Sequence, residues 1–251
     1  MMRAALSLES LKLRRSLVGV ITTCALLVGT VVLLAGITFG VAQQRSELVT
    51  KLGSTARLDW AGLVPAATQI ISVGSLLGFG VMLAWMFGRE FADGTITGLF
   101  ALPVSRGRIA LAKLVVYALW TGAVGLLLAL GVLCLGLAFG YGLPPEGVWA
   151  GLVRLWVLMV LTGLIAIPVA WTATVCGSVL AGVGCTVGLV VIAQVTALLG
   201  LGGWMPVAAP ALWAMSDGSA VTVAQLGLVV VFALVFAVLT AVSWDRLQLR
   251  R

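Results

Sequence analysis

The amino-acid sequence predicts an all-α integral membrane protein of six transmembrane helices, and three observations carry that prediction. Hydrophobic residues make up 62% of the 251-residue chain and charged residues 9%, with a mean hydropathy of +1.21. A water-soluble core of that size would leave too little polar surface to cover it. The apolar residues lie in runs long enough for the about 20 residues that a spanning helix needs, whereas a membrane β-strand alternates over only about ten. Short polar stretches rich in Gly, Pro and charge separate the runs, as helix punctuation requires. The chain reads as one transmembrane domain, residues 1–251.

Residues 1–16 are basic, with Arg3, Lys12, Arg14 and Arg15. The first run, 17–41, spans about 37 Å as a helix, enough to cross about 30 Å of hydrocarbon with some tilt. It is too long for the core of a signal peptide, although "GVAQQ" at its end faintly resembles a cleavage site. Further spans are expected at 64–87, 109–140, 148–171, 175–200 and 221–243. The fourth and fifth are nearly continuous. They are divided around "PVAWTATVCG", because Pro168 disfavours an uninterrupted helix and the combined run is about twice a bilayer's thickness. The apolar stretch 199–213, with Pro206 and Pro210, reads as a short broken or re-entrant element, either an external gate or a packed cap. Residues 244–251 form a tail.

Basic residues orient the bundle. Eleven of them (Arg3, Lys12, Arg14, Arg15, Arg89, Arg106, Arg108, Lys113, Arg246, Arg250 and Arg251) fall on one side, against Arg45, Lys51 and Arg57 on the other. The positive-inside rule places the eleven, both termini and the segment 88–108 in the cytoplasm. This distribution flanks the spans and forms no single basic face, which argues against a nucleic-acid partner despite a net charge of +7. Gly36/Gly40, Gly74/Gly78, Gly136/Gly140 and Gly184/Gly188 are spaced for close helix packing. Cys24, Cys134, Cys176 and Cys185 sit in apolar runs without metal-type spacing and are expected to behave as small hydrophobes.

The segment "GREFADGTITGLFALPVSRGR", 88–108, concentrates five of the chain's rare charges, Arg89, Glu90, Asp93, Arg106 and Arg108. As a helix it aligns Arg89, Asp93 and Thr97 on one stripe, with Phe91, Thr95, Leu99 and Leu102 on the facing one. Five charges at about 2.5–3.5 kcal/mol each exclude it from the bilayer centre, while its apolar stripe argues against a free loop. It is expected at the membrane boundary, stopped by Pro103, with Ser105 capping the next helix and Arg106, Arg108 and Lys113 snorkelling to headgroup depth.

"GREFADGTITGLFALPVSRGRIALAK" resembles the stretch after the second span in permease subunits of ABC type-2 exporters, and "SLESLKLRRS" resembles that family's N-terminal amphipathic elbow helix. The resemblance is to the bacitracin-export and lantibiotic-immunity branch, in bacterial cell membranes. It implies that 88–108 is a coupling helix gripped by a separate ATP-binding subunit, which holds ATP and Mg. Glu90, Gly94 and Thr95 would form its core, Arg89 and Asp93 its salt-bridging contacts, and Pro103, Ser105 and Arg106 a turn transmitting motion to span three. The complex would contain a second permease, identical or related, and would export amphipathic cargo such as a peptide antibiotic or drug.

No G-x-x-x-x-G-K-[ST] loop occurs, so the chain carries no ATPase site or cofactor of its own. The alternatives are an ion-coupled secondary transporter, which would want a carboxylate at the midplane, and an intramembrane enzyme, which would want a metal set or a catalytic dyad there; the sequence offers neither. Arg154, flanked by Trp149 and Trp156, is expected at the outer aromatic belt, paired with Glu146 or alternatively with Asp217.

Overall fold

The computed structural model describes residues 2–43, 57–99 and 105–247, and among these every regular element is helical. Helix α1 (Met2–Arg14) lies before the first span, α2 (Leu17–Ala42). The corner between them is tight. Ser16 adopts an extended conformation and its Oγ accepts a hydrogen bond from the Gly19 N–H at 2.9 Å. A Cβ on Gly19 would sit 2.7 Å from the Leu13 carbonyl, so only glycine lets α1 fold back this closely.

The second span, α3 (Trp60–Ala92), starts at Asp59, whose carboxylate accepts from the Gly62 N–H. Its 33 residues extend about 50 Å, well beyond the hydrocarbon thickness. The segment 88–108 therefore departs from expectation in form. Span two continues through Gly88–Ala92, Gly94 turns the chain at φ +65°, and only the short α4 (Ile96–Leu99) follows. The expected single stripe through Arg89, Asp93 and Thr97 is broken at that turn. Span three is α5 (Arg106–Ala138), also 33 residues long.

Span four is divided: α6 (Glu146–Ile165) and α7 (Pro168–Cys176) together form one crossing, and α8 (Val179–Leu198) is the fifth. Contrary to expectation, Pro168 does not separate two spans; it opens α7 inside span four. The separation falls at Gly177, left-handed at φ 58°, and at Ser178, which caps α8. At the break the Ile167 N–H turns to the Leu164 carbonyl, and the Gly163 carbonyl accepts from the Tyr117 hydroxyl at 3.1 Å. In hydrocarbon a polar group freed by a broken helix must find such a partner. The stretch 199–213 forms turns leading into α9 (Ala209–Met215), and α10 (Val223–Asp245) is the sixth span, opened by a capping box between Thr222 and Gln225.

Helix α3 is the hub, packed against α2, α6, α7 and α8. Its Ala67, Phe79, Met82, Leu83 and Phe87 are fully buried. By contrast α2, α8 and α10 expose Val32, Val191 and Val238, because lipid tails solvate such residues as well as a protein core does. Close approach is set by glycine at the α3–α8 contact: a Cβ on Gly182 would lie 2.6 Å from that of Ala84, and one on Gly88 would lie 2.7 Å from the Val179 nitrogen. Of the glycine pairs singled out by spacing, Gly78 and Gly136 meet Leu26 and Trp60, while a Cβ on Gly36, Gly74, Gly184 or Gly188 would meet no other element within 4 Å among the described residues. Cys24, Cys134 and Cys176 are exposed and unpaired.

Two substitutions test this packing. Tyr117→Phe leaves the Gly163 carbonyl without its donor and is expected to destabilise the fold by about 1–3 kcal/mol, read as a lower melting temperature in detergent. Gly88→Val meets Val179 backbone and is expected to lower it further, whereas Gly74→Val leaves it unchanged.

Candidate functional site

At the end of the bundle that carries α1, four charged side chains from three helices converge. Glu9 and Lys12 stand one turn apart on α1, on the same face. Glu90 comes from the last turn of α3 and Lys113 from the second turn of α5. The Lys113 Nζ donates to Glu9 Oε2 at 3.0 Å, to Glu90 Oε1 at 2.9 Å and to the Met86 carbonyl at 3.1 Å. Lys12 Nζ reaches Glu9 Oε1 and Glu90 Oε1, both at 3.0 Å. Lys113 is only 2% exposed and Glu90 5%, so a charge left alone here would be very costly; two acids and two ammoniums cancel. The Phe87 and Trp244 rings lie 6.0 and 5.8 Å from the Lys113 ammonium and add cation–π attraction. Glu90 Oε2 alone of these polar atoms has no hydrogen-bond partner.

Burial works to raise the Glu9 pKa, but the charges of Lys113 and Lys12 and their hydrogen bonds outweigh it and hold the carboxyl below its ordinary 4.5. For Lys12, burial works downward and the charges of Glu90 and Glu9 prevail, holding the ammonium above its ordinary 10.5. A depressed carboxyl contributes stability above its unfolded pKa and loses it as pH falls through the folded value; a raised ammonium contributes below its unfolded pKa and loses it as pH rises through the folded value. Both contributions are therefore in force throughout the neutral range.

The residues expected to grip a partner divide. Arg89, Asp93, Gly94 and Thr95 are exposed at the tip of α3. Arg89 Nε pairs with Asp93 Oδ2 at 2.9 Å, and its guanidinium stacks 5.1 Å from the centre of the Trp85 ring. Glu90 is the correction: it points inward, drawn by the two lysines. Lys113 is corrected in the same sense, because it is buried in the quartet and does not snorkel. A cavity of about 190 Å³ adjoins the quartet, opening between Trp85, Arg89 and Thr95.

Pro103 lies outside the described residues. Ser105 stands at the start of α5 in an extended conformation, but its side chain makes no capping bond. The cap is supplied by Asp245, at the end of α10, whose Oδ1 accepts from the Gly107 N–H at 2.7 Å. A Cβ on Gly107 would lie 2.5 Å from that carboxylate. Arg106 donates to the Leu247 carbonyl. Span three is thus clasped to the end of span six, and Trp244 extends the clasp by donating to Thr174 at 3.0 Å.

At the opposite end Arg154 pairs with Asp217 at 2.8 Å, and among the described residues Glu146 makes no ion pair. Arg154 and Glu146 are eight residues apart on α6, about 12 Å along the axis, beyond a side-chain pair; Asp217, at φ 56°, folds back over the helix from the loop between α9 and α10. The Asp217 carboxylate is 87% exposed, so this pair adds little to stability.

Glu9, Lys12, Lys113 and Asp245 escaped selection from the sequence. A lysine inside an apolar run, and acid and base one turn apart on α1, are the signals that mark them. Lys113→Met leaves two buried carboxylates sharing the single ammonium of Lys12 and is expected to cost about 3–5 kcal/mol, with the double variant Lys113→Met/Glu90→Gln recovering at least about half. The protection of the α1 amides, taken as exchange relative to the intrinsic rate at each pH, is expected to hold from about pH 5 to 10 and to fall as acid protonates Glu9.

The comparisons with known proteins bear on this geometry. A family model described as ABC-2 family transporter protein matches residues 5–194, from the first turns of α1 to the end of α8, and so takes in the whole quartet and the exposed tip. No curated protein matches the chain. With the match covering most of the sequence and six helices long and apolar enough to cross a membrane, the chain belongs to the ABC-2 family of transporter proteins.

Proposed function

We propose that this chain is the membrane-spanning permease subunit of an ATP-driven exporter, powered by a separate ATP-binding subunit that docks on the tip of α3. One observation carries the proposal: the tip, Arg89 and Ala92 to Thr95, is exposed while its root is locked by the buried Glu90 to α1 and α5. A push on the tip therefore moves three helices as one body, the rigid-element coupling that two-state transport requires. ATP and Mg belong to the partner, and a second permease, identical or related, completes the complex. The tip, α1 and the end of α10 face the cytoplasm of a bacterial cell, where the excess of basic residues lies.

The cargo we infer is amphipathic, such as a peptide antibiotic, a drug or a lipid-like molecule, in keeping with a bundle whose interior is mostly Leu, Ala, Gly and Thr. Ion-coupled transport is disfavoured because the described carboxylates sit near the ends of the bundle: Glu9, Glu90, Asp93 and Asp245 at one, Asp59, Glu146 and Asp217 at the other. None stands at the midplane, where an ion site would lie.

The test is co-purification with the native ATP-binding partner. Asp93→Arg combined with Thr95→Glu, both at exposed positions, is expected to reduce association and coupled ATP turnover at least tenfold while leaving the melting temperature of the permease unchanged. Unchanged association refutes the docking surface. Labelling of Asp93→Cys from outside intact cells refutes the orientation.

A further inference from the structure

Beyond coupling, the structure carries a second built feature that the transport reading does not use. A cavity of about 560 Å³ runs along the outer side of the bundle between α2 and α5, lined by Val20, Cys24, Leu119, Ala123 and Leu127. Its chemistry is polarised. The α1 end carries Arg14 and Ser10, and beyond them the lining is almost wholly apolar. The polar atoms inside, the Trp120 indole N–H and the Thr23 hydroxyl, satisfy one another at 3.0 Å and tie the two helices across the slot.

We propose that this slot holds one acyl chain of an anionic phospholipid, with the lipid phosphate at Arg14. Three observations favour that occupant. The first is length: from Val116 to Leu127 the slot follows α5 for eleven residues, about 16 Å, which is half of a hydrocarbon core about 30 Å thick. The second is depth. Arg14 closes α1 beside the charged quartet, and such a concentration of charge is tolerated at headgroup level and not in the hydrocarbon. The third is charge. Arg14 and its neighbour Arg15 are exposed and take part in none of the ion pairs among the described residues, whereas Lys12 is consumed by Glu9 and Glu90. An arginine fork left open at the mouth of an apolar slot matches a phosphodiester with a chain attached.

The slot also sits where a lipid has mechanical purchase. Its wall includes Gly19 and Leu13, the residues of the tight corner between α1 and α2. A lipid there wedges α2 against α5 and supports the corner from the membrane side, opposite the quartet.

The experiment is native mass spectrometry of the full-length chain released from nanodiscs made of equal amounts of phosphatidylcholine and phosphatidylglycerol. The expected result is one retained phospholipid per chain, with phosphatidylglycerol preferred at least about tenfold. Arg14→Gln is expected to bring the preference close to unity and Arg14→Lys to keep most of it. Ala123→Trp, which fills the slot from an exposed position, is expected to abolish retention of either lipid at an unchanged melting temperature. The wild-type preference is read without any substitution, so a poorly folding variant does not rescue the idea. Equal retention of the two lipids, a preference indifferent to Arg14→Gln, retention that survives Ala123→Trp, a retained molecule that is not a phospholipid, or disulfide cross-linking of two chains through Cys24 each overturns it.

Discussion

Two carboxylates and one ammonium buried against one another at the end of the bundle, with a second ammonium half-buried beside them, are the constraint from which the rest of this architecture follows. Charge at that depth is tolerated only when balanced, so α1, α3 and α5 must each deliver a side chain to the same point. Each helix is thereby fixed in rotation as well as in position. Apolar packing alone would not do this, because a Leu-rich face slides on another with little change in energy, while a lysine threaded between two acids does not. Glu90 joins the parts most directly: one oxygen accepts hydrogen bonds from both lysines, and the residues after it carry the exposed turn.

Much of the architecture was legible in the sequence, because the bilayer imposes a simple rule. Runs of apolar residues must be helical and must be about as long as the membrane is thick, so six spans and their approximate limits follow from composition and length. What escaped were features that depend on a neighbour. Pro168 looked like a terminator since a proline removes a backbone donor, yet α7 carries on in the same crossing because the break finds compensation in Tyr117 from another helix. The division between spans four and five lay instead at Gly177, whose left-handed backbone ends α7 cleanly. Helix α3 was expected to stop at its first charges; neutralised Glu90 lets it run on to Ala92.

The candidate site shows the same division. Arg89 and Asp93 were marked by local charge pattern and Gly94 and Thr95 by the family resemblance, and their exposure is a local matter. Glu90 belongs to the same pattern but points the other way, since its orientation is decided by Lys12, 78 positions away in the chain, and by Lys113. Glycine spacing misled for a related reason. A four-residue interval marks a smooth face, but whether a neighbour comes to rest there depends on the partner helix: Gly78 and Gly136 receive the side chains of Leu26 and Trp60, while the approaches to another helix's backbone at Gly88 and Gly182 lie outside the pairs chosen by spacing.

The clasp between Asp245 and the Gly107 N–H joins positions 138 residues apart. Because the carboxylate that caps span three belongs to span six, the start of α5 is left unfinished on the ribosome until nearly the whole membrane domain has been synthesised. The junction of spans three and six is thus completed last, and a nascent or truncated chain that has yet to insert its sixth crossing leaves the first turn of α5 without its carboxylate cap. Assembly order is written into a single side chain.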